Sequence, residues 1–218
     1  MSRPVLLVVG AGPGVSGSVA RRFARDGYDI ELLGIDHDAL HALTADVERT
    51  GAVAGYAHVD ITDAGATAAS IQLAGERRRR IDVVHFNPSA FREKDPLELS
   101  VPELLEDLAL GVGGLLTAIQ AARPFMSAGG RVTATGSMAA DQPWHRAASL
   151  GVQKAGLRNL VRSLDTTLAP DGIRAVSVTV CGRLSQDGRF TPDRVADAIW
   201  DAAGQDVDTW LSEVEYGG

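Results

Sequence analysis

A run of five apolar residues that leads directly into a glycine-rich turn constrains this chain more than any other feature. The run is Val5–Val9, and the turn that follows spans residues 10–17. A continuous apolar run is typical of a strand buried on both faces. Glycines behind such a strand let the backbone turn sharply and approach a pyrophosphate, which the N-terminus of the next helix attracts. The segment predicts a strand–turn–helix unit built for a dinucleotide, with a merely structural turn as the alternative.

Two glycine registers are possible in this turn. The literal pattern Gly-x-Gly-x-x-Gly falls on Gly12, Gly14 and Gly17, two residues late relative to the end of the strand. The register that begins directly after the strand is Gly10, Gly14 and Ser16. A glycine pattern alone is a weak signal, and the strand–turn–helix context strengthens it. The candidate loop residues are Gly10, Gly12, Gly14 and Ser16.

Short apolar segments alternate with amphipathic helical segments along the rest of the chain. The predicted strands are Val5–Val9, Ile30–Ile35, Val53–Val59, Asp82–Phe86, Gly130–Thr135, Arg174–Val180 and Thr209–Tyr216. The predicted helices are Val15–Asp26, Asp38–Thr50, Asp63–Gly75, Val101–Ser127, Ser149–Ala169 and Thr191–Ala203. Such alternation indicates βαβ units. We expect one α/β domain over residues 1–218, doubly wound (Rossmann-type), with a mostly parallel sheet of about seven strands and helices on both faces.

Composition excludes several classes of function. The formal charge of −7 gives no electrostatic support for a nucleic-acid or anionic-membrane partner. A single cysteine, Cys181, excludes an internal disulfide and a thiolate metal site, and the five histidines lack metal-ligand spacing. The segment Met1–Val9 is too short for a signal peptide, and no apolar stretch approaches the ~20 residues of a membrane helix. We expect a soluble cytoplasmic protein that acts on a small molecule and binds no metal.

The run Arg77–Arg80 is the most prominent local charge feature. We expect it to be a solvated helix end, where cations offset the negative end of the helix dipole. One run of four residues in an acidic chain is poor support for a polyanion site.

A serine, a leucine and a lysine carry the clearest resemblance to a known family. Ser137 follows a strand candidate, Leu150 lies thirteen residues later, and Lys154 lies four residues beyond Leu150. With the glycine turn, this layout resembles the short-chain dehydrogenase/reductase family over nearly the whole chain. In that family a tyrosine occupies the position of Leu150. The resemblance therefore implies an oxidoreductase whose usual proton donor is replaced by an alkyl group.

The resemblance also implies roles for the remaining active-site positions. The family's tyrosine protonates a carbonyl oxygen as hydride leaves the nicotinamide, its lysine binds the nicotinamide ribose, and its serine hydrogen-bonds the carbonyl. A helix asparagine supports a water of the proton relay, and its position falls on Gly111. Ser137 and Lys154 are thus the catalytic candidates. The substitutes considered for the missing proton donor are His145, Ser149 and Lys154 acting through water.

The same resemblance assigns residues to an NAD or NADP site. It places the first two glycines on Gly10 and Gly14, the adenine-holding acid on Asp60 and the remnant of an asparagine motif on Asn87. A helix-capping or surface role is the alternative for Asp60. Asp36 follows the second strand and, with no nearby arginine or lysine, gives a slight preference for NAD.

Residues 183–190 replace the helical lid that the family usually carries over its substrate. They form a short polar segment after Gly182, which we expect to leave the site relatively open to water.

Two functions stay open at this point. The first is an NAD(P)-dependent oxidoreductase acting on a small carbonyl or alcohol through Ser137, Lys154 and a substitute proton donor. The second is a divergent protein without hydride transfer, which binds a ligand, serves as a partner subunit or runs an isomerisation or cyclisation. Leu150 fits both, because it continues an apolar helix face with Leu157 and either fills a former pocket or lines a working one.

The resemblance further implies a homodimer or homotetramer. Its helices Val101–Ser127 and Ser149–Ala169 would pair across a two-fold axis. Their alanine- and glycine-rich faces suit ordinary packing on the sheet equally well.

Overall fold

A computed structural model of the chain describes residues 3–218. Met1 and Ser2, the first residues of the segment considered above as a signal peptide, lie outside the described residues. The strands are β1 (Val5–Val9), β2 (Asp29–Gly34), β3 (Ala54–His58), β4 (Val83–Phe86), β5 (Arg131–Ser137), β6 (Arg174–Val180) and β7 (Glu213–Tyr216). They form one parallel sheet in the order β3-β2-β1-β4-β5-β6-β7. The predicted α/β fold with a seven-stranded parallel sheet is confirmed.

Helices cover both faces of this sheet. They are α1 (Val15–Arg25), α2 (His37–Glu48), α3 (Ala64–Arg78), α4 (Val101–Leu108), α5 (Gly114–Ala122), α6 (Ala148–Leu168) and α7 (Pro192–Ala203). The core on one face includes residues of α1, α2 and α7, and the core on the other includes residues of α3, α5 and α6. This arrangement explains why every residue of the run in β1 is apolar. Leu6 and Val8 belong to the first core, and Leu7 and Val9 belong to the second.

The strand order reverses beside β1, and this reversal positions the site. Connections leave β1 toward β2 on one side, whereas β4 pairs with β1 on the other. In an open parallel sheet the loops separate at such a point and leave a crevice at the carboxyl ends of the strands. The glycine turn after Val9 lies at this crevice.

Most predicted elements differ from the observed ones by one to three residues at their ends, and two differ by more. The last strand begins at Glu213 rather than Thr209, because Val207–Thr209 forms a 3-10 turn that Asp206 caps through the N–H of Asp208. The long helix predicted over Val101–Ser127 is divided by a π-helical turn at Ala109–Gly113 and closes with a 3-10 turn.

One helical stretch contradicts the expectation that no segment is apolar enough to span a membrane. Within the described residues, Val101–Phe125 passes that test by length and composition. The core helix of a globular protein passes the same test, and Leu115 and Ile119 from this stretch are buried in the core beneath the sheet. The finding is therefore weak as an indication of a membrane span.

The arginine run is more than a solvated helix end. The guanidinium groups of Arg77 and Arg78 both pair with the carboxylate of Glu31, with Arg78 Nε 2.5 Å from Glu31 Oε1. Glu31 lies on β2 and is only 2% exposed. Arg80 pairs with Asp82. The expectation of solvation is therefore wrong for Arg78, which is largely buried, and the run ties α3 to the sheet.

Candidate active site

A cavity of about 380 Å³ occupies the predicted crevice at the carboxyl ends of β1, β2 and β4. It is lined by Gly10, Ala11, Gly34, Ile35, Asp60, Ile61, Thr62, Asn87, Pro88, Ser89 and Leu110. Three of the predicted nucleotide-site residues, Gly10, Asp60 and Asn87, thus meet in one place. We refer to this cavity as the nucleotide cleft.

The glycines of the turn divide into two kinds. Gly10 has φ of +80°, and a Cβ there would lie 2.6 Å from the Pro88 ring. A Cβ at Gly17 would lie 2.5 Å from the Gly12 carbonyl oxygen. Around Gly12 and Gly14, by contrast, nothing lies within 4 Å of a Cβ position, so packing explains neither glycine. Their bare backbone faces open space, as expected where a pyrophosphate approaches.

The close-packing glycine of the turn is Gly17, which the register starting at Gly10 missed. The literal Gly-x-Gly-x-x-Gly pattern contained that signal. The register that starts at Gly10 assigns the third glycine position to Ser16. This serine is buried, and its hydroxyl accepts the Gly12 N–H at 3.0 Å. Ser16 therefore fixes the loop from within and uses one of its backbone donors.

The two acids proposed for the nucleotide lie in different settings. Asp60 lines the cleft, and its Oδ1 accepts from the Thr62 hydroxyl at 2.7 Å and the Thr62 N–H at 2.9 Å. These two bonds hold the pKa of Asp60 below its usual range. The helix cap of α3 is Asp63, so Asp60 is free of the capping role. Asp36 instead caps α2 by accepting the Ala39 N–H at 3.0 Å, and it is absent from the described lining of the cleft.

Lys154 and Ser137 both lie near the end of β5, where Lys154 contacts the strand two residues before Ser137. The Lys154 ammonium donates to the carbonyl oxygen of Thr135 at 2.8 Å. Ser137 follows two residues later on the same strand, and its hydroxyl accepts the Ala139 N–H at 3.2 Å. Burial lowers the pKa of Lys154 to about 8, so the ammonium form predominates at neutral pH and releases its proton more readily than an exposed lysine.

Thr135 connects this lysine to the nucleotide cleft, a role the sequence did not reveal. Its hydroxyl donates to Asn87 Oδ1 at 2.7 Å, while its carbonyl oxygen accepts from Lys154. Asn87 lines the cleft. One residue of β5 therefore joins the cleft wall to the ammonium.

Neither alternative proton donor lies beside Lys154. Leu150 is half-buried one helical turn before Lys154, on the same side of α6. Ser149 is fully buried and points about 140° away from Lys154 around the helix. His145 is exposed and lines a separate apolar groove of about 550 Å³ with Val152. Val152 faces roughly 160° away from Lys154 around the helix. Lys154 is thus the titratable candidate that remains.

The segment after Gly182 packs beside the glycine turn. Its Ser185 N–H donates to the Phe190 carbonyl oxygen at 3.1 Å, and Tyr216 donates its hydroxyl to the Arg189 carbonyl oxygen at 2.7 Å. Gln186 lines a cavity of about 370 Å³ whose opposite wall includes Gly14. The segment is short and polar, as its sequence indicates, and it borders the N-terminus of α1.

A buried histidine lies behind the site. His85 on β4 is fully buried, and its Nδ1 is 2.9 Å from the Thr133 hydroxyl, whereas its Nε2 has no hydrogen-bond partner among residues 3–218. Burial, with a smaller contribution from the positive charge of Lys154, lowers the pKa of His85 to about 3. The imidazole is therefore neutral in the folded protein across the physiological range.

We expect His85 to make the fold acid-sensitive. In the unfolded chain this residue binds a proton below its ordinary pKa of 6.5, whereas in the folded chain it stays neutral down to about pH 3. The free energy of unfolding therefore decreases as the pH falls from 6.5 to 3. Relative to His85→Val, wild-type unfolding free energy should fall by about 2 kcal/mol between pH 7 and 5. Denaturant unfolding at several pH values measures this, with the exposed His41→Gln as control. A pH-independent difference between wild type and His85→Val would contradict it.

Comparison with known proteins assigns the family. A sequence model described as "Enoyl-(Acyl carrier protein) reductase" matches residues 10–186. This stretch includes the glycine turn, the nucleotide cleft, Ser137 and Lys154. The chain belongs to the short-chain dehydrogenase/reductase family.

Individual relatives agree with this membership. The chain is 23% identical to the uncharacterized oxidoreductase Lmo0432 of Listeria monocytogenes over 98% of its length and 95% of that protein. It is 30% identical to the oxidoreductase UcpA of Escherichia coli K12 over 79% of its length and 66% of that protein. A metagenomic short-chain oxidoreductase, solved in complex with NADP, superposes with a TM-score of 0.88 at 22% identity and covers 99% of this chain and 97% of its own. The last likeness concerns the fold.

Proposed function

We propose that this short-chain dehydrogenase/reductase is an NAD(P)-dependent oxidoreductase for a small carbonyl or alcohol, in which Lys154 rather than a tyrosine supplies the proton. The observation that carries the proposal is the placement of the Lys154 ammonium at the Thr135 carbonyl, two residues before Ser137 on β5 and joined through Thr135 to the cleft. The names of the curated relatives, which are oxidoreductases, support the redox class.

The cleft fits a nicotinamide dinucleotide. Gly12 and Gly14 leave bare backbone where a pyrophosphate would approach, and Asp60 offers acceptor oxygens for the adenine half. When bound, the reduced dinucleotide supplies hydride to the carbonyl carbon. Lys154 would hold the nicotinamide ribose and, through water, deliver a proton to the carbonyl oxygen, and Ser137 would donate a hydrogen bond to that oxygen.

The lining of the cleft favours NAD over NADP. No arginine or lysine is among its described residues, so nothing there would pair with a 2′-phosphate. Ile35, which follows β2, is exposed at the rim and carries no charge. Asp36 lies next to it, occupied in capping α2. We propose NAD as the better substrate of the two.

The pH dependence of turnover tests Lys154 as the proton donor. We expect the rate of carbonyl reduction to be level below about pH 8 and to fall about tenfold per unit above it, because only the ammonium form donates. Lys154→Arg retains the positive charge but does not titrate in this range, so it should lose most of the rate and the inflection. Steady-state kinetics from pH 6 to 10 measure both. An unchanged profile in Lys154→Arg would remove lysine from this role.

A family member without hydride transfer is the alternative, and Leu150 favours it because an alkyl group neither gives nor takes a proton. Titration with NADH and NADPH, followed by cofactor fluorescence and thermal shift, separates the two functions. Binding with turnover of any member of a carbonyl panel supports the redox function. No response to either nucleotide would exclude it.

Self-association through α4 and α6 remains part of the proposal. Val101 and Leu105 on α4 and Val152 on α6 are exposed apolar side chains, and the groove of about 550 Å³ lies between these helices. Apolar patches of this kind suit a homodimer or homotetramer. A cytoplasmic location, with neither nucleic acid nor membrane as partner, also stays a prediction.

A further inference from the structure

The carboxamide of Gln153 holds the wall of the nucleotide cleft. Gln153 directly precedes Lys154 on α6 and is 1% exposed. Its Oε1 accepts the Ala90 N–H at 3.0 Å, and its Nε2 donates to the Ala90 carbonyl oxygen at 3.2 Å. Ala90 immediately follows residues 87–89, which line the cleft. A single side chain thus binds both polar groups of one backbone residue beside the cleft.

The same carboxamide fills the space next to the π-helical turn. A Cβ on Gly111 would lie 2.6 Å from Gln153 Oε1, so a larger residue at 111 requires Gln153 to move. Leu110, the neighbour of Gly111 in this turn, lines the cleft as well. Gln153 therefore lies where the cleft wall, the π-helical turn and the helix that carries Lys154 converge.

The wall has few other backbone hydrogen bonds over this stretch. Before it, Asn87 continues from β4 and donates its N–H to the Val9 carbonyl oxygen at 3.0 Å. After it, Arg92 anchors the loop to Asp107 on α4 at 3.0 Å. Among the described residues, no hydrogen bond to the backbone of 88–91 is present apart from the two that Gln153 makes. Phe91 also stacks on Trp144, with 6.2 Å between the ring centroids. The hydrogen bonding of this wall segment therefore depends on one carboxamide.

We propose that Gln153 is a positioning residue, which acts through Ala90 to hold residues 87–89 in place and thereby sets the affinity of the cleft for a nicotinamide nucleotide. This inference rests on the proposed function. Ala90 engages both polar atoms of the carboxamide, and a neutral amide does not titrate, so Gln153 acts by ordering the cleft wall rather than by transferring a proton.

Gln153→Met removes the polar atoms and keeps the side-chain length. We expect the Kd for NADH, measured by fluorescence well below the melting temperature, to rise about tenfold or more, and amide hydrogen exchange at residues 88–92 to accelerate. Asp165→Asn is the matched control on the same helix, since it weakens bonds to Arg174 and the Ala175 N–H far from the cleft. It should lower the melting temperature and leave the Kd unchanged. Gln153→Asn, whose carboxamide is too short to reach Ala90, should repeat the loss if the methionine variant folds poorly.

The outcomes separate this inference from the proposed function. If the wild type binds NADH and both Gln153 variants bind it with the same Kd, the positioning role is overturned and the proposed function is not affected. A rise in Kd of equal size in Asp165→Asn overturns it too, because general destabilisation then accounts for the loss. If the wild type binds no nucleotide, the proposed function is wrong. The effect of Gln153 on affinity is then overturned as well, even if amide exchange at residues 88–92 accelerates in the variants.

Discussion

Leu150→Tyr should raise the rate of carbonyl reduction by about 10²–10⁴, the usual contribution of a positioned general acid. Leu150 is half-buried one helical turn before Lys154, on the same side of α6, so a tyrosine there would place its phenol near the ammonium. A neighbouring positive charge lowers the pKa of a phenol and favours proton release. Steady-state turnover of a carbonyl panel with NADH, compared with the wild type, measures the gain.

Leu150→Phe is the control for this gain, since it adds the ring without the hydroxyl. We expect it to leave the rate at the wild-type level. A similar rise in the phenylalanine variant would mean that packing, rather than proton donation, limits the enzyme. A wild type that already matches Leu150→Tyr would show that Lys154 suffices as the donor.

Replacing both Arg77 and Arg78 with methionine should destabilise the fold by about 3–5 kcal/mol, because it leaves a buried carboxylate without a partner. Glu31 is 2% exposed on β2, and the two guanidinium groups are its ion-pair partners in the structure. Chemical denaturation at neutral pH gives the unfolding free energy of each variant.

Two further variants decide whether the buried ion pair is the cause. Arg79→Met makes the same chemical change at an exposed position with no ion pair in the structure, so its effect should stay within about 0.5 kcal/mol. Adding Glu31→Met to the double variant removes the unpaired charge and should recover most of the loss. If the double variant lowers the free energy of unfolding by no more than Arg79→Met does, the ion pairs with Glu31 make no net contribution to stability.

Local sequence signals located the edge of the sheet at which the nucleotide cleft lies. A five-residue apolar run is typical of a strand in the middle of a sheet, and the glycine turn that follows such a strand lies at the carboxyl edge. Gly10 and Asn87 both line the cavity at this edge. The register of the turn was less certain, because sequence spacing gives no information on steric contact. The contact between Gly17 and the Gly12 carbonyl oxygen exists only once α1 packs back on the loop.

Long-range contacts explain the elements that sequence reasoning missed. Arg77 and Arg78 look like a solvated run because their partner, Glu31, lies 46 and 47 residues away in the chain. Gln153 has no distinguishing pattern in sequence, and its partner Ala90 is 63 residues away. Neither pairing follows from periodicity or composition.

The sequence by itself determined the parallel α/β fold, the glycine turn at the sheet edge and the alkyl side chain of Leu150, because strand burial, turn geometry and side-chain chemistry are local properties of the chain. Only the tertiary structure decided that Lys154 is buried at the Thr135 carbonyl with a lowered pKa, while Ser149 and His145 lie elsewhere. The physical reason is that desolvation and hydrogen-bond geometry depend on which distant segments pack together.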